Sequence, residues 1–258
     1  MKALISNDDG ITASGILAAK KAVDELCETY VVAPEHQQSG IGHALTLNEP
    51  LRINERTLRD GSKGYGVTGT PTDAVTLALF EIMDEKPDIM VSGINTGFNL
   101  GKAELTTSGT IGAAIEAASF NIPTIAISQE VTRDDIKFDT GEVEIDFDFA
   151  GKMLNKIAKI ILKKGLPEGI DLLNVNIPAN PINEEFEVVT LGKRMYVPII
   201  EKRLDPREKP YYWIGGDPYE SDAPGTDGHA LRKYQKTTIT PLKIDLTSDM
   251  SLLKEWLI

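Results

Sequence analysis

The sequence predicts an α/β fold: an open, mostly parallel sheet with helices on both faces, hence three layers, followed by a C-terminal β-hairpin extension. Three observations lead there. Short, almost wholly apolar runs recur at 3–6, 30–33, 89–91, 124–127 and 172–175, as strands buried on both faces do. Segments with helical apolar spacing lie between them, which is the alternation of βαβ units. After about residue 180 the pattern turns to aromatic-bearing segments separated by charged or proline-bearing turns such as Asp205-Pro206, the mark of antiparallel strands.

The elements follow in order. Residues 3–6 form a first strand that runs into Asn7-Asp8-Asp9-Gly10. Residues 14–28 carry Ile16, Leu17, Val23, Leu26 and Cys27 at helical spacing. A second strand over 30–33 is closed by Pro34, and a polar, glycine-bearing loop follows over 35–43. Strands over 51–53 and 65–67 flank a turn at Asp60-Gly61. The helix expected over 72–84 has Asp73 in its first turn, where a carboxylate complements the helix dipole. The central strand over 89–91 is short and fully apolar, and a glycine-rich loop is expected over 92–101. Small residues over 109–118 make a helix, 124–127 a strand, 147–163 an amphipathic helix and 172–175 another strand.

Beyond these, 187–191, 196–200 and 211–214 read as antiparallel strands, with Tyr196, Tyr211, Tyr212, Trp213 and Tyr219 concentrated around them. Two readings of this arm stay open: a hairpin packed on its own domain, or one exchanged with a partner subunit. A helix over 226–234, a strand over 237–240 and a helix over 250–257 complete the chain. The expected organisation is one domain over 1–258, with a core over 1–180, a hairpin arm over about 185–225 and a C-terminal return to the core over 226–258.

Composition narrows the function. The 258 residues are 41% hydrophobic and 26% charged, enough to bury a substantial core, with a formal net charge of −12. Such an acidic chain does not neutralise a phosphate backbone, so a nucleic acid polymer is not the expected partner. A small phosphorylated ligand is still compatible, because an ion and backbone amides supply local positive potential. The single cysteine, Cys27, cannot form an internal disulfide and reads as a small core residue. No apolar stretch approaches the roughly 20 residues of a membrane span. The N-terminal apolar run is too short for a signal peptide. A cytoplasmic protein with no membrane partner is expected.

In doubly wound sheets, ligands bind outside the carboxyl ends of the strands. The loops at that edge carry Asn7, Asp8, Asp9 and Gly10; Ser39-Gly40; Ser92-Gly93-Ile94-Asn95 with Gly97, Asn99 and Gly101; and Ser108-Gly109-Thr110 with Gly112. Two adjacent carboxylates are costly unless a cation or a shared proton neutralises them, and all-oxygen donors suit a hard divalent ion. Asp8 or Asp9 as a simple helix cap is the alternative. Ser-Gly-Thr opening a helix aims hydroxyls and free N–H groups at an anion. Together the loops hold the inventory of a metal site with a phosphate cradle.

Other phosphate chemistries lack their motifs. The chain has no Gly-x-x-x-x-Gly-Lys-Ser/Thr loop and no Gly-x-Gly-x-x-Gly opening its first helix. Gly69-Thr70-Pro71 reads as a turn with proline at a helix start. His36, His43 and His229 show no metal-ligand spacing, although His36 and His43 share the loop of Ser39.

These segments, joined by Asn174-Val175-Asn176-Ile177-Pro178 and Thr240-Pro241-Leu242, resemble in order and spacing the motifs of the survival protein E (SurE) family, from residue 1 to about 242. The resemblance implies a Rossmann-like domain with a C-terminal hairpin swapped between subunits of a homodimer or homotetramer. It also implies a metal-dependent phosphatase acting on nucleoside 5′- and 3′-monophosphates, with some members acting on polyphosphate. One divalent ion per subunit, Mg²⁺ or Mn²⁺, would be held by Asp8, Asp9, Ser39 and Asn95. The ion polarises a phosphoryl oxygen and activates a water, which one aspartate, with Asp9 preferred, orients or deprotonates. Ser108, Gly109 and Thr110, with Asn99 and the Ser39-Gly40 turn, would meet the phosphoryl oxygens. One departure is Thr107, where the family often has tyrosine.

Two rivals are weighed against this. A receiver-like regulatory module also has an acidic pair after its first strand, but no later post-strand loop here offers a phosphoacceptor aspartate. A non-catalytic nucleotide or metal sensor would use the same ligands, and turnover separates it.

Overall fold

The computed structural model describes residues 1–131 and 145–258. In chain order the strands are β1 (Lys2–Ser6), β2 (Glu28–Pro34), β3 (Ile53–Thr57), β4 (Lys63–Val67), β5 (Ile89–Thr96), β6 (Thr124–Gln129), β7 (Leu172–Ile177), β8 (Phe186–Val188), β9 (Tyr196–Leu204), β10 (Pro210–Pro218) and β11 (Thr237–Leu242). The helices are α1 (Ser14–Val23), α2 (Pro71–Leu77), α3 (Gly101–Leu105), α4 (Gly109–Ser119), α5 (Asp148–Lys164), α6 (Asp227–Tyr234) and α7 (Met250–Trp256).

Nine strands form one sheet in the order β3-β4-β2-β1-β5-β6-β7-β11-β8. The stretch from β4 to β7 is parallel, and antiparallel pairs join β3 to β4 and β7 to β11. The period of two along each central strand divides its side chains between two cores. Ala3, Ile5, Val31, Ala33, Ile89, Val91, Ile125 and Ile127 point to the side covered by α1 and α5. Leu4, Val32 and Met90 point to the side of α2 and α4, and Ala126 packs with α4 on that same side. This alternation between two buried faces is why the strands read as unbroken apolar runs.

β1 is an interior strand beside the central β5, with Ile5 opposite Val31 on one side and Val91 on the other. From β1 the chain moves outward to β2, then returns to β5 on the opposite flank, so strand order reverses between β1 and β5. That switch point opens a crevice at the carboxyl ends of both strands.

Several expectations are corrected. The first helix stops at Val23 rather than 28, because Glu28 already pairs with Lys2 in the sheet. Cys27 is buried beyond the helix, in a turn. The helix expected over 72–84 is α2 followed by a π-helical turn, Ala78–Ile82. Residues 92–96, expected as loop, continue β5: its pairing with β6 resumes at Asn95 after a register shift beyond Ser92. Gly93, at φ +135°, supplies the backbone freedom this irregularity needs. A short helix, α3, had no expectation. β8 is not an antiparallel arm strand; it closes the main sheet parallel to β11. All of α7 is exposed.

β9 and β10 pair antiparallel as a separate ribbon, from Tyr196 opposite Pro218 to Leu204 opposite Pro210. Every residue of its two strands after Tyr196 is exposed, so the strands do not pack on their own domain. No helix among the described residues is long and apolar enough to cross a membrane.

Candidate active site

The loop after β1 is shaped by Asn7. Its amide donates to the Gly10 carbonyl at 3.1 Å and accepts the Gly10 N–H at 3.1 Å, closing a tight turn around the two aspartates. Asp8 lies inside, only 4% exposed. Thr110 Oγ1 donates to Asp8 Oδ1 at 2.6 Å, and the Thr110 N–H also reaches this carboxylate. The start of α4 presses directly on Asp8: a Cβ on Gly109 would stand 2.7 Å from the Asp8 Cβ. Burial first, and then the charge of Asp9, push the Asp8 carboxyl up to about 7, against the lowering effect of Thr110.

Asp9 is more open. Its Oδ2 accepts the Thr96 N–H at 3.1 Å, so the end of β5 fixes its position. Gln37 bridges it to the next loop, donating to Asp9 Oδ1 at 3.4 Å and to Ser39 Oγ at 3.0 Å. The backbone of that loop is tied down as well, by Gln38 N–H to the Asp8 carbonyl at 2.7 Å and Gly42 N–H to the Thr107 carbonyl at 2.8 Å.

Asp8, Ser39, Gly40, Asn95, Asn99 and Ser108 line one cleft at the switch point, as the sequence anticipates. The Asn95 amide donates to the Gly97 carbonyl at 3.3 Å, which leaves its oxygen as the ligand-capable end. Ser108 caps α4, accepting the Ile111 N–H at 3.2 Å. Thr110 is placed differently: it is fully buried, and its hydroxyl is spent on Asp8. Asn99 Nδ2 donates to Ser128 at 2.8 Å. The Asn99 N–H donates to Asn176 Oδ1, and its carbonyl accepts the Asn174 and Asn176 amides. A buried asparagine network on β7 therefore holds this loop from below.

His43 stands outside the cleft, 2.8 Å from Glu116 on α4. Thr70 and Asp73 form a capping box, and Asp73 accepts the Thr46 N–H at 3.1 Å. That segment anchors a loop and opens α2.

The cleft has further lining that sequence reasoning did not single out, including Thr96, Phe98, Glu104 and Met195. Glu104 Oε2 accepts the Met195 N–H at 2.7 Å, and Arg232 donates to the Met195 carbonyl at 2.7 Å, so the base of the hairpin is fastened to the cleft. Buried Asp227 accepts the Gly101 and Gly192 N–H groups at 2.8 and 2.7 Å, joining the same two regions. No local pattern signals these pairings. Gln37 alone had a cue, as a polar residue two positions before Ser39.

Among the described residues no three His, Cys, Asp or Glu side chains gather as a metal cluster. A hard divalent ion held here would draw on two carboxylates completed by neutral oxygens. A buried carboxyl with a raised proton affinity beside a second carboxylate is an environment that a divalent cation relieves.

A family profile described as Survival protein SurE matches residues 3–198. A curated relative from Methanobrevibacter smithii, named 5′-nucleotidase SurE, is 76% identical over 257 residues, spanning 100% of both chains. One of the same name from Methanothermobacter thermautotrophicus is 59% identical over 222 residues, 86% of this chain and 85% of its own. The crystal structure of SurE protein from Aquifex aeolicus aligns with a TM-score of 0.80 at 36% identity, covering 100% of both chains.

Proposed function

The chain belongs to the survival protein SurE family and is a phosphoric monoester hydrolase of the 5′-nucleotidase type, and from that premise we propose that Asp8, Asp9, Ser39 and Asn95 hold one divalent ion, Mg²⁺ or Mn²⁺, in each subunit. Nucleoside 5′-monophosphates are its substrates and nucleoside and phosphate its products; 3′-monophosphates and polyphosphate are further candidates. The observation that supports the ligand set is the meeting of Asp8, Ser39 and Asn95 with the α4 N-terminus in one cleft.

When bound, the ion supplies a Lewis acid for the phosphoryl oxygen and for water. The chain's own groups do the rest. Thr110 holds the Asp8 carboxylate in a single orientation through a 2.6 Å bond, and so acts as a positioning residue. Asp9, fixed by the Thr96 N–H and more open to solvent, orients the attacking water and takes up its proton. Ser108, which lines the cleft at the positive end of α4, faces the charge that grows on the phosphoryl oxygens, with the Gly109 N–H behind it and Ser39-Gly40 and Asn99 on the opposite loops. Water attacks phosphorus as its proton passes to Asp9, the P–O bond to the nucleoside breaks, and the departing oxygen takes up the proton that Asp9 holds.

The exposed ribbon of β9 and β10 supports a homodimer or homotetramer assembled by exchange of this arm. The lone buried Cys27 needs no oxidising compartment and suits the cytoplasm.

Phosphate release from a panel of nucleoside monophosphates, with EDTA, Mg²⁺ or Mn²⁺ in parallel, tests the site. Release that needs the ion and is abolished by Asp8→Asn and by Asp9→Asn is expected. Near-full activity in both variants would sink the ligand assignment.

A further inference from the structure

One wall of the cleft has no part in holding the ion or the phosphoryl group. Phe98 is the only aromatic among the described residues that line it. Resting on the nucleotidase reading, we propose that Phe98 is the platform on which the substrate's nucleobase stacks.

The placement of the ring carries this. Phe98 packs against Leu100, Met195 and Leu231 and is half-buried, so part of its surface is supported by the protein and part stays open. Both of its neighbours are pinned. The Gly97 N–H donates to the Gln129 carbonyl at 2.8 Å, and Asn99 is held by Ser128, Asn174 and Asn176. Met195, which backs the ring, is itself fastened by Glu104 and Arg232. A ring held this firmly loses little freedom when a planar ligand settles on it.

Distance suits the same ligand. Two residues lie between Asn95 and Phe98, so three steps of chain, at most about 10 Å, separate them. That is comparable to the reach of a nucleoside monophosphate from phosphorus to base. Every nucleobase has a π face, so such a platform binds bases as a class. The Glu104 carboxylate in the same cleft, which already accepts backbone N–H groups, is an acceptor suited to a sugar hydroxyl or a base amino group.

The test compares AMP with ribose 5-phosphate, which has the phosphate and sugar but no base, under saturating Mn²⁺. Phe98→Leu keeps apolar volume against Leu100 and Met195 but lacks the ring face; Phe98→Tyr keeps the face. For Phe98→Leu the expected result is a fall of about tenfold in kcat/KM for AMP, carried by KM, with ribose 5-phosphate unchanged. Phe98→Tyr should stay near wild type, and free adenosine should inhibit wild type but lose that inhibition in Phe98→Leu. Equal losses for both substrates would mean that the ring only supports the loop of Asn95 and Asn99, and would overturn the proposal. So would an unchanged kcat/KM for AMP in Phe98→Leu. Failure of the nucleotidase reading itself looks different: the wild type would release no phosphate from AMP.

Discussion

Asp8 is a carboxylate in a place where ionisation is costly. It is 4% exposed, Asp9 adjoins it, and its charge is supported by the Thr110 hydroxyl with help from backbone N–H groups. Its carboxyl is raised from 3.8 to about 7, so in metal-free protein the folded state holds this proton more tightly than the unfolded chain does. The stability this contributes is fully present below about pH 4 and is lost as pH rises through about 7, by an amount on the order of a few kcal/mol. In EDTA, Asp8→Asn should therefore melt higher than wild type at pH 8 and close to it at pH 4; identical pH dependence in the two proteins would refute the assignment. Mn²⁺ should raise the melting temperature of wild type at pH 8 and leave that of Asp8→Asn unchanged. Thr110→Val, which removes the 2.6 Å donor, should weaken Mn²⁺ binding about tenfold by titration, whereas Thr110→Ser should retain it.

The element most dependent on its neighbours is the loop over 35–46. It has no helix or strand of its own beyond Pro34, yet it carries Ser39. Its attachments include the Gln38 N–H bond to Asp8, the Gly42 N–H bond to Thr107, the Thr46 N–H bond to Asp73 and the pairing of His43 with Glu116, a side chain 13% exposed that also accepts from Thr76. The hydrogen bond from His43 holds the Glu116 carboxyl below its ordinary range, against the opposing effect of burial. A lowered carboxyl contributes stability above its ordinary value of 4.5, and that contribution is lost as pH falls through the folded value. His43→Gln should cost about 1 kcal/mol near pH 6 and speed hydrogen exchange at the Gly42 amide, with the β1 amides unchanged. An unaltered Gly42 amide would show that the backbone bonds alone hold the loop.

At the scale of the molecule, the ribbon of β9 and β10 is the least self-sufficient part. Trp213, Tyr212 and Ile214 are 59, 57 and 82% exposed, and an isolated two-stranded hairpin is marginal in water. A partner that covers both faces would account for this composition. Shortening the ribbon between 197 and 217 while keeping Met195 and Tyr196 should lower the solution mass by light scattering and leave the fold over β1–β7 intact. The same mass before and after would remove the exchanged arm. Because Met195 lines the cleft and begins this ribbon's base, the shortened protein should also show a raised KM for AMP.

The parallel sheet, its helices and the composition of the post-strand loops were legible in the sequence, because they follow from short-range periodicities. The two-residue alternation sorts Leu4 from Ile5 onto opposite faces, and Ser108 at the head of small-residue α4 reads as a cap from its neighbours alone. Ordered motifs likewise pointed to Asp8, Asp9, Ser39 and Asn95, of which Asp8, Ser39 and Asn95 meet in the cleft. What only the tertiary structure decided is which of these groups are already engaged with one another. Thr110 reads locally as a phosphate donor, but its hydroxyl meets Asp8 across 102 residues of sequence. Strand β5 reads as ending at Val91, but β6 alongside gives Asn95 and Thr96 backbone partners. Phe98, Glu104 and Met195 share a cleft through side-chain packing that no local spacing encodes. The physical reason is common to all three: periodicity is set by the residue's own stretch of chain, whereas the partner of a buried polar group is set by strand order and register, which arise when distant segments pack together.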